Sequence, residues 1–217
     1  SRIRNVKKTQ NRPDFTQESE IWSQGFNSVV GVDEAGRGSL SGPVVAGAVI
    51  IPRGFNDSWL YSVRDSKQIS ANRRESMFSK IKDSGIPWST GIVENSRIDK
   101  IGILNATIDA MLIAITNLGA TPDFVLIDAV EIDVPYLPSK SIIRGDQISV
   151  SIAAGSIVAK VTRDRLMIEY DQIYPEYGFA NNKGYPTEFH RKQLMELGPC
   201  QIHRFSFAPV HNACRGT

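Results

Sequence analysis

The residues of this chain best placed to do chemistry are carboxylates that follow apolar runs. "SVVGVDEAGRG" brings Asp33 and Glu34 side by side after a β-branched stretch, "DFVLID" ends in Asp128, and "SIIRGD" ends in Asp146. Such runs read as buried strands, and ligands of open α/β sheets bind at the carboxyl ends of the strands. Three strands delivering acid to that edge would build one cluster. The competing reading is that each acid caps a loop or the next helix; for Asp146, just ahead of a long helical pattern, both readings stand.

Electrostatics says what a cluster would need. Two like charges about 4 Å apart repel by roughly 4 kcal/mol at an effective dielectric near 20, so four carboxylates persist together only with cations or altered protonation. Oxygen donors without clustered histidine or cysteine favour Mg²⁺ or Mn²⁺ over Zn²⁺. Two such ions would balance four carboxylates, and ions about 3.5–4 Å apart suit in-line displacement at a phosphodiester. Adjacent strand residues face opposite ways, so Asp33 and Glu34 can share a site only where the strand ends and bends. The glycines of "GRGSLSG" are expected to supply the bend. Their G-x-G-x-x-x-G spacing is not the dinucleotide fingerprint, and a strand rather than a helix follows. The loop reads either as a tight turn or, through Gly36, Arg37 and Gly38, as backbone open to a sugar, where amides and carbonyls could contact a 2′-hydroxyl.

The elements that must carry these residues show in the periodicity. "NSVVGV" and "PVVAGAVII" predict adjacent strands, and "WSTGIVE" a third. Thr16 and Gly25 bound a predicted short helix, Ser70 and Gly85 a second, and Thr187 and Gly198 a last one. Apolar residues at Ile101, Leu104, Ile108, Met111, Leu112, Ile115 and Leu118 predict one helix over 98–118. "SVSIAAGSIVAKVTRDRLMIEYDQI" reads as a long helix of small residues, on which Lys160, Arg163 and Asp164 would form pairs at helical spacing. This order implies a mixed sheet covered by helices, followed by a helical carboxyl-terminal region.

The 217 residues are 41% hydrophobic, ample for one core, and carry a net charge of +2. Arg2, Arg4, Lys7, Lys8 and Arg12 precede the first acid, so residues 1–14 are expected to form a basic flexible tail and 15–217 a single domain. Between 121 and 150 the balance turns acidic, with Asp123, Asp128, Glu131, Asp133 and Asp146 against Lys140 and Arg144. An acidic patch in a mildly basic protein suits a metal site facing a polyanion. Cys200 and Cys214 form no metal-ligand or disulfide pattern, and no apolar run approaches the ~20 residues of a membrane span. A cytoplasmic protein without membrane contact is expected.

In order, "GVDEAGRG", "LID", "RGD", "IAAGSIVAKVTRDRLM", "YPEYGF", "KGYPT" and "HRFSF" resemble the motifs of the bacterial ribonuclease HII family, from about Phe15 to Val210. The resemblance implies a ribonuclease H-like fold, an α/β architecture with a central mixed β-sheet flanked by helices. It implies an endonuclease that uses two divalent ions, Mg²⁺ or Mn²⁺, to cut the RNA strand of RNA–DNA hybrids or single ribonucleotides embedded in duplex DNA. Asp33, Glu34, Asp128 and Asp146 would be the catalytic metal ligands, with Asp33 bridging both ions. Gly36, Arg37 and Gly38 would read the ribose hydroxyl, Tyr185 would stack on a sugar, and Lys67 would touch backbone phosphate. Lys183 and Arg204 would extend the phosphate surface, whereas His190 and His203 would be structural or phosphate-touching rather than catalytic.

Ala129 stands where the family more often has glycine, and Gly155 replaces an alanine, so local backbone geometry is in question at both. No clamp-binding motif with paired aromatics is seen, and a monomer is expected. Two rivals share the acids: a junction resolvase or transposase-like nuclease of the same superfold, and a catalytically silent hybrid-binding module. Acids that repel phosphate argue against the second.

Overall fold

The computed structural model of the protein describes residues 12–63 and 69–215. Arg2, Arg4, Lys7, Lys8 and Lys67 lie outside the described residues. After helix α1 (Thr16–Ser23), strand β1 (Val29–Ala35) pairs antiparallel with β2 (Val44–Ile50), and β2 pairs antiparallel with β3 (Trp88–Val93). On the other side of β1 lie β4 (Phe124–Asp128) and then β5 (Ser139–Ile142), both parallel. The resulting mixed sheet has the order β3-β2-β1-β4-β5.

Strand alternation sorts the core onto two faces. Val30 and Val32 of β1, Ala46 and Ala48 of β2, and Val125 and Ile127 of β4 pack with helix α4 (Ile103–Thr116). On the opposite face helix α5 (Val150–Ile173) lies against β1 and β2, with helix α2 (Ala71–Asp83) beside it. Ile152, Ile157 and Val158 of α5 are fully buried, each worth about 1.5–3 kcal/mol relative to exposure.

Helix α5 comes unusually close to the sheet because glycines face it. A Cβ on Gly31 would lie 2.1 Å from the Ser151 carbonyl carbon, and one on Gly47 would lie 2.3 Å from the Gly155 oxygen. From the helix side, a Cβ on Gly155 would meet the Gly47 oxygen at 2.8 Å. Glycine at 155 is therefore part of the contact that seats α5, which answers the departure noted in the sequence.

The cap signals at Ser70 and Thr187 are met. Ser70 accepts from Arg73 N ahead of α2, and Thr187 accepts from His190 N ahead of helix α7 (Glu188–Leu197). Other expectations are corrected. The helix predicted over 98–118 is broken: α3 (Asn95–Ile101) and α4 meet at Gly102, whose φ of 80° no continuous helix can contain, and Leu104 is half exposed. Thr16 is the first residue of α1 rather than its cap, with Asp14 Oδ1 accepting from its amide. Glu188–Leu197 is not the last helix, since α8 (Ala208–Arg215) follows, and a short helix α6 (Phe179–Asn182) precedes α7. Among the described residues no helix is long and apolar enough to cross a membrane.

Candidate active site

Register and parity bring the acids together. The parallel ladder between β1 and β4 ends at Val32 and Ile127, so Asp33 and Asp128 are the next residues of neighbouring strands. Both have the parity of Gly31 and Leu126, the face toward α5. Asp146 arrives differently. Strand β5 ends at Ile142, Arg144 adopts a left-handed conformation with φ 57°, and the chain turns through the 3₁₀ segment Gly145–Gln147. The Gly145 amide donates to Asp128 Oδ1 at 2.5 Å, folding that turn over β4. Asp146 thus belongs to a turn, not to a strand end as the sequence implied.

Asp146 does not cap α5 either. Ser149 Oγ accepts from Ile152 N, while buried Glu18 accepts from Ser149 Oγ at 2.6 Å and from Ser151 N at 2.9 Å. Ser149 and Glu18 serve the helix end, and Asp146 is grouped with Asp33 and Asp128.

One carboxylate oxygen each from Asp33, Asp128 and Asp146 lies within 4.8 Å of the others. Glu34 stands outside this triad. Strand β1 continues to Ala35, with Asp33 opposite Gly47 and Glu34 opposite Ala46, so the bend expected between the two acids does not occur there and they keep opposite parity. Glu34 Oε1 pairs with Arg37 Nη1 at 3.2 Å and its side chain lines the adjoining cleft.

Asp33 is 1% exposed; its Oδ1 accepts from the Glu34 amide, and its buried Oδ2 has no hydrogen-bond donor among the described residues. Burial first, then the charges of Glu34, Asp128 and Asp146, raise its pKa well above the ordinary carboxylate value. A buried carboxylate with such an oxygen, grouped with two further acids, fits a hard divalent cation, for which Asp33, Asp128 and Asp146 could be the ligands.

A cleft of about 470 Å³ adjoins the acids, lined by Glu34, Gly36, Arg37, Gly38, Arg74, Lys160 and Tyr185. It unites the glycine loop with Tyr185, residues the sequence could associate only through the family resemblance. The two glycines differ. Gly36 has φ 95°, and a Cβ there would lie 2.0 Å from Arg163 Nε, whereas a Cβ on Gly38 would meet nothing within 4 Å.

Arg74 and Lys160 were not assigned to this cleft from the sequence. Asp164 holds both, pairing with Lys160 Nζ at 2.7 Å and Arg74 Nη2 at 3.5 Å. The Lys160–Asp164 spacing was a visible signal of their pairing; nothing local tied Arg74 to it. Arg163 makes no such pair. It is fully buried and donates to backbone carbonyls.

Arg204, expected on a phosphate surface, is also fully buried and donates to the carbonyls of Arg37, Gly42 and Pro43. Lys183 turns its ammonium onto the Ala180 carbonyl. Ala129, next to Asp128, has φ 53°, the left-handed region in which glycine is more comfortable. The departure noted at this position thus coincides with real backbone strain beside an acid of the triad.

A family model described as ribonuclease HII matches residues 30–210. The chain is 46% identical over 199 residues to a ribonuclease HII of Syntrophomonas wolfei, covering 92% of this chain and 77% of that protein. It is 49% identical over 196 residues to a ribonuclease HII of Geobacter metallireducens, covering 90% and 91%. Its fold matches the crystal structure of ribonuclease H2 from Pyrococcus horikoshii with a TM-score of 0.72 and 27% identity, over 86% of this chain and 96% of the other.

Proposed function

The chain belongs to the ribonuclease HII family and is a ribonuclease H endonuclease; on that premise we propose that it cuts on the 5′ side of ribonucleotides embedded in duplex DNA and hydrolyses the RNA strand of RNA–DNA hybrids. The products would carry 5′-phosphate and 3′-hydroxyl ends. Removal of misplaced ribonucleotides and of RNA primers in the cytoplasm is the matching role. The observation that carries the reading is the convergence of Asp33, Asp128 and Asp146 beside a cleft walled by the glycine loop and Tyr185.

Asp33, Glu34, Asp128 and Asp146 would hold two divalent cations, Mg²⁺ or Mn²⁺. When bound, the ions supply the Lewis acidity that activates water and stabilises the departing oxygen in phosphodiester hydrolysis. Burial and three neighbouring acids raise the proton affinity of Asp33, and a bound cation would offset the same burial and repulsion. Arg37 restrains Glu34 at the cleft edge. The open space in front of Gly38 leaves its backbone accessible to a ribose 2′-hydroxyl, and the Tyr185 ring offers a flat wall for a sugar. In this reading the 2′-hydroxyl is recognised and is not the nucleophile.

The test is an end-labelled DNA duplex holding one ribonucleotide, incubated with Mg²⁺, Mn²⁺ or chelator, beside Asp128→Asn. Metal-dependent cutting 5′ of the ribose, lost in the variant, is expected. Products ending in 2′,3′-cyclic phosphate would overturn the mechanism, and cutting of branched all-DNA substrates would favour the resolvase-like reading.

A further inference from the structure

Arg163 takes no part in the chemistry just described, yet it touches both halves of the recognition cleft. Fully buried on α5, it donates from Nε to the Pro43 carbonyl at 2.9 Å, from Nη1 to the Lys183 carbonyl at 2.8 Å, and from Nη2 to the Ser41 carbonyl at 3.1 Å. Ser41 lies in the glycine loop and Pro43 directly follows it, while Lys183 precedes Tyr185 by two residues. A buried charge persists only where hydrogen bonds compensate its lost hydration, and here the compensation comes from backbone of two chain segments far apart in sequence.

Two contacts extend this beyond support. The space that a side chain on Gly36 would occupy is taken by the guanidinium, with Nε 2.0 Å from the Cβ position. The guanidinium carbon also stands 5.4 Å from the centre of the Tyr185 ring. One planar, rigid group therefore abuts the first residue of the glycine loop and the ring across the cleft. Lysine at this position would keep the charge but not the fork that fixes three carbonyls in one plane.

We infer that Arg163 is a positioning residue for ribose discrimination: it sets the spacing between the Gly36–Gly38 backbone and the Tyr185 ring, and thereby how strictly the cleft separates a ribonucleotide from a deoxyribonucleotide. The inference rests on the reading of this cleft as the ribonucleotide site. Its natural scale is that of a small misplacement of recognition groups, which costs on the order of 10²-fold in rate.

The test compares wild type and Arg163→Lys on two duplexes of one sequence, one with a single ribonucleotide and one all-DNA. Cleavage is followed with Mg²⁺, and binding by fluorescence anisotropy with Ca²⁺ in place of Mg²⁺. In the variant, kcat on the ribonucleotide duplex should fall by about ten- to a hundredfold, and the binding preference for that duplex over all-DNA should shrink, with all-DNA affinity unchanged. A lowered Tm with the preference intact would overturn the inference while leaving the nuclease reading standing. Failure of wild type to cut the ribonucleotide duplex would overturn both. Should Arg163→Lys not fold, the Arg163 Nε–H signal of ¹⁵N-labelled wild type serves instead. It should shift on adding the ribonucleotide duplex and not the all-DNA duplex; an equal response to both would overturn the inference.

Discussion

The imidazoles of His190 and His203 meet Nε2 to Nε2 at 3.0 Å in the interior, packed against the rings of Tyr177 and Phe179. Their neighbours determine where the protons sit. His203 Nδ1 accepts from the Cys200 amide at 2.9 Å, so its proton is on Nε2. His190 Nδ1 lies 2.9 Å from the Tyr185 carbonyl and must donate to it, leaving Nε2 as the acceptor for His203. The result is a one-way relay from the Cys200 amide to the backbone of Tyr185, satisfied only when both rings are neutral.

A pH dependence of stability follows. Burial, and then the neighbouring His190, push His203 down to about 4, while burial also lowers His190. The folded pKa lies below the unfolded one, near 6.5, so between those values the unfolded chain binds a proton that the native state refuses. The stability contributed by neutral His203 is full above about 6.5 and is lost as pH falls toward 4, by up to about 3 kcal/mol. Urea denaturation across this range, with ¹⁵N imidazole spectra to read the tautomers, checks it. Ordinary titration of His203 near 6.5 would refute the relay.

Asp33 has the opposite linkage. Its folded pKa is raised, so above that value its buried charge destabilises the native state, and the penalty disappears as pH falls through it. Without divalent ions, Asp33→Asn should therefore raise stability, by roughly 1–3 kcal/mol, while abolishing cleavage. Saturating Mg²⁺ at about 100 times Kd should add about 2.7 kcal/mol to wild type and far less to the variant. Thermal melts with chelator and with Mg²⁺ check both; an Asp33→Asn protein less stable in chelator would show that the acid cluster is not strained.

The two glycines of the recognition loop should separate stability from function. Gly36→Ala places a methyl group into Arg163 at a φ that alanine resists, and should cost about 1–3 kcal/mol. Gly38→Ala meets open space, so Tm should stay within about a degree while activity on a single-ribonucleotide duplex drops. Matched melts and cleavage rates decide; unchanged activity in Gly38→Ala would remove Gly38 from the recognition surface.

Arg74 and Lys160 share Asp164 at the cleft wall, and both line the space that a backbone phosphate would enter. Each change to glutamine should lower the slope of log binding constant against log salt by about 0.9 on double-stranded DNA. The measurement is anisotropy over a salt series in the Asp128→Asn background. A slope identical to that of the parent would mean that neither cation meets a phosphate.

Much of the architecture was legible in short windows. β-branched runs located β1 to β4, helical periodicity located α2, α4 and α5, and Ser70 and Thr187 marked helix starts, because each signal is complete within a few residues. The acids were legible too, since Asp33 and Asp128 close apolar runs that can only be buried strands. The glycine loop was legible as backbone open to a sugar; family resemblance added Tyr185, which no local signal would have joined to it.

Tertiary structure decided the rest. Ladder register between β1 and β4 set Asp33 beside Asp128, strand parity kept Glu34 out of their triad, and the turn through Arg144 and Gly145 delivered Asp146. It also buried Arg163 and Arg204, cations that by residue type belong on a surface. Composition and periodicity are written along the chain within a turn or a strand. Which carbonyls a guanidinium reaches depends on how α5 seats on Gly31 and Gly47 and where the segment before Tyr185 returns, and no single stretch of sequence contains those partners together.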